Sequence, residues 1–195
     1  MSRTGEAKRV TGETDVRVRV DLDGSGASTI STGVGFFDHM LTLLARHALI
    51  DLEVEAHGDL ETGSHHTVED VGITLGQALT AALGDRRGIA RYGSSLVPMD
   101  ECLVQVALDL SGRPILALDL PLPATVIGGF ETELVGEFLR GLANHAGLTL
   151  HVSLLAPGNA HHSIEGTFKA VARALAVAVA LTPRVTGVPS TKGSL

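Results

Sequence analysis

The sequence is poor in cysteine and in aromatic residues. Its 195 residues include one Cys, no Trp, one Tyr and five Phe. The single cysteine, Cys102, excludes an intrachain disulfide and a zinc site built from Cys-x-x-Cys pairs. Because a chain without a disulfide framework is typical of a reducing compartment, we expect the cytoplasm.

Basic charge and long apolar runs are also scarce. The chain has 15 Lys and Arg against 22 Asp and Glu, a net charge of −7. Nucleic-acid binding needs a basic surface, commonly with aromatic rings for base stacking, so we expect no nucleic-acid partner. The longest apolar run, residues 174–181, is far shorter than the roughly 20 residues of a membrane span, and the first ten residues lack an apolar export signal. We therefore expect neither export nor membrane insertion.

Histidine, by contrast, is abundant. The chain has nine His, against six residues of Phe, Tyr and Trp together. Because imidazole binds metals and titrates near neutral pH, this surplus indicates metal binding or acid–base chemistry. For His47, His57, His145 and His151, which follow a predicted helix or lie at predicted strands, hydrogen bonding within the fold or to a metal ligand is the favoured interpretation.

Apolar periodicity divides the chain into two similar halves. The first half has predicted strands over residues 15–22, 27–31 and 50–57 and predicted helices over 36–47 and 65–83. The second has predicted strands over 102–110, 114–120 and 148–155 and predicted helices over 130–144 and 161–181, with a further strand indicated around 91–97. The Asp23-Gly24 turn is typical of a β-hairpin between the first two strands. Each half follows the order strand, strand, helix, strand, helix.

The last helices of the two halves begin with nearly the same residues. HHTVEDVGITLGQAL at 65–79 matches HHSIEGTFKAVARAL at 161–175, 96 residues later. Such a repeat predicts a tandem duplication packed about a pseudo-twofold axis. We expect an α+β fold in which two small, mostly antiparallel sheets, each covered on one face by helices, share one core. Residues 1–97 and 98–182 are the predicted repeats, and residues 183–195 a predicted extended tail.

The repeated helix starts carry metal-binding chemistry. In the first turn of a helix, His65, His66 and Glu69 stand three or four positions apart and can converge on one ion. Two imidazoles and a carboxylate make half of an octahedral shell. A solvated polar helix start is the alternative for one copy, but a second copy favours metal binding. That second copy is His161, His162 and Glu165.

One helix start cannot fill a coordination shell, so further ligands must come from elsewhere. His39 lies in GFFDHML on the preceding predicted helix, 26 residues before the first His pair. Glu137 is its counterpart in the second half, 24 residues before the second pair. We predict two metal sites, each drawing ligands from both halves or from neighbouring subunits. Imidazole and carboxylate ligands accept manganese, iron or zinc alike.

A set of short motifs spans nearly the whole chain. They are ET at 13–14, LDGSG at 22–26, TGVGFFDHML at 32–41, HHTVED at 65–70, GDRRGIARYG at 84–93, DLSGRP at 109–114, TLHV at 149–152, HHSIEGTFKAVARAL at 161–175 and PSTKG at 189–193. In combination they resemble the imidazoleglycerol-phosphate dehydratase family. The resemblance implies two sheets flanking a shared helical layer, two manganese ions per active site, and a homo-oligomer of 24 subunits with active sites shared between subunits.

The resemblance also assigns roles by position. It implies metal ligands at His39, His65, His66, Glu69, Glu137, His161, His162 and Glu165. Many family members have His where this chain has Glu137. The implied substrate-binding residues are Glu13, His39, His65, Arg91, Arg113, Lys169, Ser190 and Lys192, whose cations suit a phosphate group.

The implied reaction is the dehydration of D-erythro-imidazoleglycerol phosphate to imidazole-acetol phosphate, a step of L-histidine biosynthesis. The C–H proton that is lost has no adjacent carbonyl to acidify it, and coordination of the substrate ring by the metals would help to expel the hydroxyl group. The resemblance points to Glu13 as a catalytic acid or base. Glu69 and Glu165, beside the metals, are further candidates for proton transfer.

Two other functions stay open at the level of the sequence. Another dimetal hydro-lyase, or a hydrolase acting on a small phosphorylated substrate, could use the same ligands, because ligands specify the metal better than the reaction. A noncatalytic protein whose metals hold subunits together would tolerate alanine at Glu13, Arg113 and Lys192.

Overall fold

Two four-stranded sheets with the same strand order frame the protein. The computed structural model describes residues 3–195; the first two residues of the predicted first repeat lie outside this range. The strands are β1 Thr4–Val10, β2 Thr14–Asp21, β3 Ser28–Ser31, β4 Asp51–Gly58, β5 Tyr92–Met99, β6 Cys102–Asp109, β7 Ile115–Asp119, β8 Val126–Ile127, β9 Phe130–Glu131 and β10 Thr149–Ala156. The helices are α1 Gly35–Ala48, α2 His65–Leu83, α3 Leu134–Ala146 and α4 Ala160–Val179, with a short 3₁₀ turn, Leu60–Thr62, before α2.

The sheet topology confirms the duplication. The first sheet has the order β1-β2-β4-β3 and the second the order β5-β6-β10-β7, so each strand of one sheet has a counterpart in the other. Two pairings in each sheet are antiparallel, and β3 with β4 and β7 with β10 are parallel. The predicted mostly antiparallel α+β fold is therefore confirmed. The boundary between the repeats at residue 97 stays a prediction, although β5 pairs within the second sheet.

Two local predictions were wrong, and one strand was missed. The Asp23-Gly24 turn does not make a hairpin, because β4 lies between β2 and β3 and pairs with both. The edge strand β1 was not predicted, since Ala7 is its only aliphatic residue before Val10 and its inward position Gly5 has no side chain. Phe130 does not begin a helix: it belongs to the two-stranded hairpin β8–β9, and α3 starts four residues later.

The helices lie between the sheets. α2 packs on β1 and β2 and against α3, while α4 packs on β5 and β6 and against α1. Two glycines allow the close contact of helix and sheet at equivalent places in the repeat. A Cβ atom at Gly5 would overlap the Ala78 carbonyl oxygen, and one at Gly93 would overlap that of Ala174. This contact brings both helices, with their His-His starts, close to the sheets.

All five phenylalanines meet in the helical layer. Phe37 stacks on Phe130 with ring centroids 5.8 Å apart and meets Phe138 edge-on at 5.4 Å. Phe138 stacks on Phe168 at 5.2 Å, and Phe36 lies 5.6 Å from Phe130. The Phe36 ring also meets the imidazole of His161 at 5.1 Å, so the core supports one predicted metal ligand directly. Among the described helices, none has the length and hydropathy that a membrane span requires.

Candidate functional site

The first turn of α2 presents the predicted ligands to solvent. His65 Nε2 lies 3.8 Å from Glu69 Oε2, four residues further along the helix. The two side chains are 55% and 44% exposed. The ring of His66 stands edge-on to that of His65, with centroids 5.9 Å apart. The helix therefore begins where the repeated motif begins and groups the three side chains on one side.

His66 is held by a carboxylate outside its helix. Its Nδ1 lies 3.0 and 3.1 Å from the two carboxylate oxygens of Asp59. Glu13 Oε2 lies further away, 3.7 Å from the same nitrogen. The hydrogen bond with Asp59 raises the pKa of His66. A proton on Nδ1 leaves the lone pair of Nε2 for a metal ion.

The first turn of α4 repeats the arrangement of α2. His161 Nε2 lies 3.2 Å from Glu165 Oε2, and His39 Nε2, from α1, lies 3.7 Å from the same oxygen. The other oxygen of Glu165 accepts from Lys169 Nζ at 2.6 Å. Burial by itself would raise the pKa of Glu165, but the hydrogen bonds from Lys169 and His161 hold it below its usual value. Glu165 is thus a carboxylate at neutral pH.

His162 is also held by a carboxylate from another element. Its Nδ1 lies 3.0 Å from Glu101 Oε2, and its Nε2 lies 3.7 Å from Asp100 Oδ2. Within residues 3–195, these three side chains are the one group of possible metal ligands whose atoms all lie within 4.8 Å of one another. The hydrogen bonds that Glu101 accepts from the backbone of Asn159 and from His162 lower the pKa of Glu101 to about 2.

Glu137 occupies the place in α3 that His39 occupies in α1. Each helix ends ten residues later at a left-handed residue, Leu49 with φ 57° and Gly147 with φ 60°. The equivalence of His39 and Glu137 in the repeat therefore has structural support. Glu137 Oε1 lies 2.6 Å from Arg140 Nη1, so the single chain pairs it with a cation and not with another predicted ligand.

The donors fit a divalent metal ion. Two ligand atoms at right angles around a six-coordinate ion, each about 2.1 Å from it, lie about 3 Å apart. The contacts of Glu165 Oε2 with His161 and His39, at 3.2 and 3.7 Å, are near this spacing. The predicted ligands are, however, distributed over α1, α2, α3 and α4, and among residues 3–195 the compact group of possible ligands includes just one of them, His162.

Four of the predicted substrate-binding residues surround one cavity. Arg91, Arg113, Ser190 and Lys192 line a cavity of about 680 Å³ between the second sheet and the tail. Arg91 is nearly buried, and its Nη1 donates to the carbonyl of Pro189 at 2.8 Å, which ties the tail to the sheet. Guanidinium, ammonium and hydroxyl groups around one space suit a phosphate.

Lys169 does not reach this cavity in the single chain. Its ammonium group contacts Glu165 and lies 3.4 Å from Met99 Sδ. The structure therefore brings together Arg91, Arg113, Ser190 and Lys192 and leaves Lys169 beside the helix start that bears the predicted ligands.

The sequence model of the family described as imidazoleglycerol-phosphate dehydratase matches residues 32–175. The imidazoleglycerol-phosphate dehydratase of Desulforamulus reducens is 59% identical over 195 residues, and that of Moorella thermoacetica is 60% identical; each alignment covers all of both chains. This chain belongs to the imidazoleglycerol-phosphate dehydratase family.

Solved structures agree with this membership in the imidazoleglycerol-phosphate dehydratase family. The crystal structure of the Staphylococcus aureus enzyme superposes with a TM-score of 0.83 and 41% identity, covering 92% of this chain and 99% of that one. The Pyrococcus furiosus enzyme, solved in complex with (S)-C348, also gives 0.83, at 38% identity over 96% of this chain and 99% of that one. The fold and the enzyme class, a hydro-lyase, follow from these relatives.

Sequence reasoning missed three acidic residues of the site. Asp59 and Glu101 contact His66 and His162, and Asp109 holds Arg91. Glu101 had a detectable signal, because it stands directly before β6 as Glu13 stands directly before β2. Asp109, the last residue of β6, begins the DLSGRP motif, but that motif does not reveal its contact with Arg91. Asp59, one residue beyond β4, lies in none of the motifs.

Proposed function

We propose that this protein catalyses the dehydration of D-erythro-imidazoleglycerol phosphate to imidazole-acetol phosphate in L-histidine biosynthesis, with two Mn²⁺ ions per active site. The observation that carries the proposal is the pair of His-His-x-x-Glu helix starts in a chain about 60% identical to named dehydratases over its full length. Cys102, buried and unpaired, suits a cytoplasmic enzyme.

The proposed metal ligands come from both halves of the chain. They are His39, His65, His66, Glu69, Glu137, His161, His162 and Glu165. When bound, the two ions would act as Lewis acids on the imidazole ring of the substrate and stabilise negative charge that develops there. The chain's own residues set the position of that ring, since imidazole and carboxylate groups project from helix starts that the sheets and the phenylalanine cluster hold.

The exposure of the ligands supports sites shared between subunits. His39, His65 and His161 are 50%, 55% and 44% exposed in the single chain. A second copy that covers them would exclude water and supply the missing ligands. On this basis we propose a homo-oligomer, and from the resemblance to the family an assembly of 24 subunits.

The cavity lined by Arg91, Arg113, Ser190 and Lys192 is the proposed phosphate site. Two guanidinium groups and an ammonium offset the charge of a phosphate, and Ser190 adds a hydroxyl donor. We further propose that Lys169 reaches the substrate of a shared site, because its helix start also bears ligands for the metals.

Carboxylates near the proposed metal ligands are the candidates for proton transfer. Glu13 is 55% exposed and lies beside His66, so it can hold or release a proton at a substrate positioned there. Glu69 and Glu165, four residues beyond His65 and His161, are the other candidates. His39, His65 and Glu13 would then border the substrate as well as the metals.

Turnover by the full-length, metal-loaded protein tests this function. Glu13→Gln keeps the size of the side chain but removes its acid–base function, so we expect imidazole-acetol phosphate formation to fall about a hundredfold or more. Glu6→Gln, on an exposed residue that pairs with Arg17 on the first sheet, is the matched control and should retain full activity. Failure of the metal-loaded wild-type protein to form the product would overturn the proposed function.

A further inference from the structure

In each His-His pair, the two histidines face their neighbouring carboxylates through different ring nitrogens. His65 and His161 direct Nε2 toward the glutamate of their own helix. His66 and His162 instead direct Nδ1 toward a carboxylate outside the helix, with distances of 3.0 Å to Asp59 and 3.0 Å to Glu101. A carboxylate that accepts the Nδ1 proton fixes the tautomer and the ring, and directs the Nε2 lone pair outward.

The carboxylate of Glu101 is itself held at both oxygens. Oε2 contacts His162, and Oε1 accepts from the backbone N–H of Asn159 at 2.6 Å. Asn159 caps α4, because its side chain accepts from the N–H of His161 at 2.8 Å. A Cβ atom at Gly158 would overlap the Glu101 side chain, so the glycine allows Glu101 to approach the backbone before α4. Glu101 thus joins the β5–β6 turn to the start of α4.

Asp59 is fixed by its own turn. Its Oδ2 accepts from Thr62 Oγ1 at 3.0 Å, and its backbone N–H donates to the carbonyl of Glu13 at 3.1 Å. The Asp59 side chain is 21% exposed, less than the imidazole that it contacts. A carboxylate held in this way can orient His66 without moving.

The repeat makes Glu13 the counterpart of Glu101, yet the two have different surroundings. Each stands one residue before the second strand of its sheet, β2 or β6. Glu101 Oε2 is within hydrogen-bond distance of His162, whereas Glu13 Oε2 is 3.7 Å from His66, and Asp59 occupies the nearer position. In the first half, therefore, Asp59 holds the hydrogen-bonding position at His66 Nδ1, and Glu13 lies beyond hydrogen-bond distance.

We infer that Asp59 and Glu101 are positioning residues that orient His66 and His162 for metal binding through Nε2, and that Glu13 is not. This inference rests on the proposed metal-dependent function. The compact group of His162, Glu101 and Asp100 could hold a metal ion through all three side chains. According to this inference, Glu101 instead orients the imidazole, and neither carboxylate is a ligand.

The test is Mn²⁺ binding to the full-length, chelator-stripped protein, measured by isothermal titration calorimetry and by electron paramagnetic resonance of the free ion. Asp59→Asn and Glu101→Gln should weaken Mn²⁺ binding about ten- to hundredfold. In Glu101→Gln, the amide oxygen can accept a hydrogen bond from the N–H of Asn159 or from that of His162, but not from both. The amide NH₂ group then faces the other N–H, and two donors oppose each other. Conservative Glu101→Asp should restore part of the affinity, and the unfolding temperature of each metal-free variant shows that it is folded.

Two matched variants make the result specific. Glu13→Gln, at the equivalent position of the repeat, should bind Mn²⁺ within about twofold of wild type. Asp100→Asn should do the same; its carboxylate is 70% exposed and lies 3.7 Å from His162. Loss of affinity in Asp100→Asn equal to that in Glu101→Gln would mean that both are ligands, and would overturn the inference.

The remaining outcomes separate the inference from the proposed function. If the folded variants Asp59→Asn and Glu101→Gln bind Mn²⁺ as tightly as the wild-type protein, the positioning role is overturned. The proposed function would still stand if the wild-type protein turned over the substrate. Weakened binding in both, with no turnover by the wild-type protein, would support the positioning role and overturn the function. Absence of Mn²⁺ binding by the wild-type protein would overturn both.

Discussion

Arg91 and Asp109 form a two-point ion pair at the proposed phosphate site. Arg91 Nε lies 2.7 Å from Asp109 Oδ1, and Nη2 lies 3.0 Å from Oδ2. The side chains are 11% and 17% exposed, so water screens the pair poorly. Asp109 raises the pKa of Arg91 through this hydrogen bond and fixes the plane of the guanidinium. The remaining N–H groups can then face the cavity without first being ordered by a ligand.

Replacement of this guanidinium should weaken substrate binding more than it slows the chemical step. A lysine in Arg91→Lys can contact Asp109 or a phosphate but cannot present a planar fork to both. We expect KM to rise about tenfold or more, corresponding to the roughly 1.5–3 kcal/mol of a hydrogen bond to a charged group, with a smaller change in kcat. Arg87→Lys, at a residue that is 58% exposed and near Asp85, is the control. A fall in kcat with KM unchanged would contradict the role of Arg91 in phosphate binding.

Removal of the first imidazole of either pair should lower the metal content. His65→Ala and His161→Ala each delete a proposed ligand at a helix start, and in the proposed shared sites assembly would depend on those ligands. We expect fewer metal ions per chain by elemental analysis and a smaller assembly by analytical ultracentrifugation. His57→Ala removes an imidazole that is 73% exposed and lies near Glu55 on the first sheet, so it should change neither quantity. Unchanged metal stoichiometry in the first two variants would reject them as ligands.

The close approach of α4 to β5 predicts a sharp stability effect at one glycine. In Gly93→Ala the new methyl group would overlap the carbonyl oxygen of Ala174. Because this oxygen belongs to the backbone of α4, the overlap can be relieved only by moving the helix or the strand. We expect the free energy of unfolding to fall by more than about 2 kcal/mol, as measured by urea denaturation of the metal-free protein. Gly12→Ala adds a methyl group with no atom within 4 Å and serves as the control. Equal stability of the two variants would contradict the described packing.

The ion pair between Arg3 and Asp23 predicts that stability depends on pH. The hydrogen bond from Arg3, with Nη2 2.6 Å from Asp23 Oδ1, lowers the pKa of Asp23. A carboxyl whose pKa is lower in the folded chain stabilises it above the unfolded pKa, and this contribution is lost as the pH falls through the folded pKa. Asp23→Asn should therefore lower the unfolding temperature at about pH 7, and the gap to wild type should narrow as the pH falls below about 4, the usual pKa of an Asp side chain. A gap that widens on acidification would contradict this assignment.

The duplication could be predicted because its strongest marks are local. The His-His-x-x-Glu starts and the helical spacing after them lie in single continuous segments, and α2 begins at His65 as predicted. Pairing between strands is not local in this way. The Asp23-Gly24 pair is typical of a hairpin turn, yet β4 lies between β2 and β3 and pairs with both of them.

The site was predicted less completely than the fold, for two physical reasons. Asp59 and Glu101 contact predicted ligands on other elements, and no spacing along one element reveals such contacts. Lys169 was grouped with the phosphate-binding cations by family resemblance, but the single chain pairs it with Glu165, because the two lie one helical turn apart. In the proposed shared sites, moreover, one chain would supply only part of the ligand set.

The most direct test of the account is a titration of chelator-stripped, full-length protein with Mn²⁺ while imidazole-acetol phosphate formation is followed. We predict no turnover in the stripped protein and a rise in activity that saturates at two Mn²⁺ per active site. Full activity without metal, or two bound Mn²⁺ without product, would contradict it.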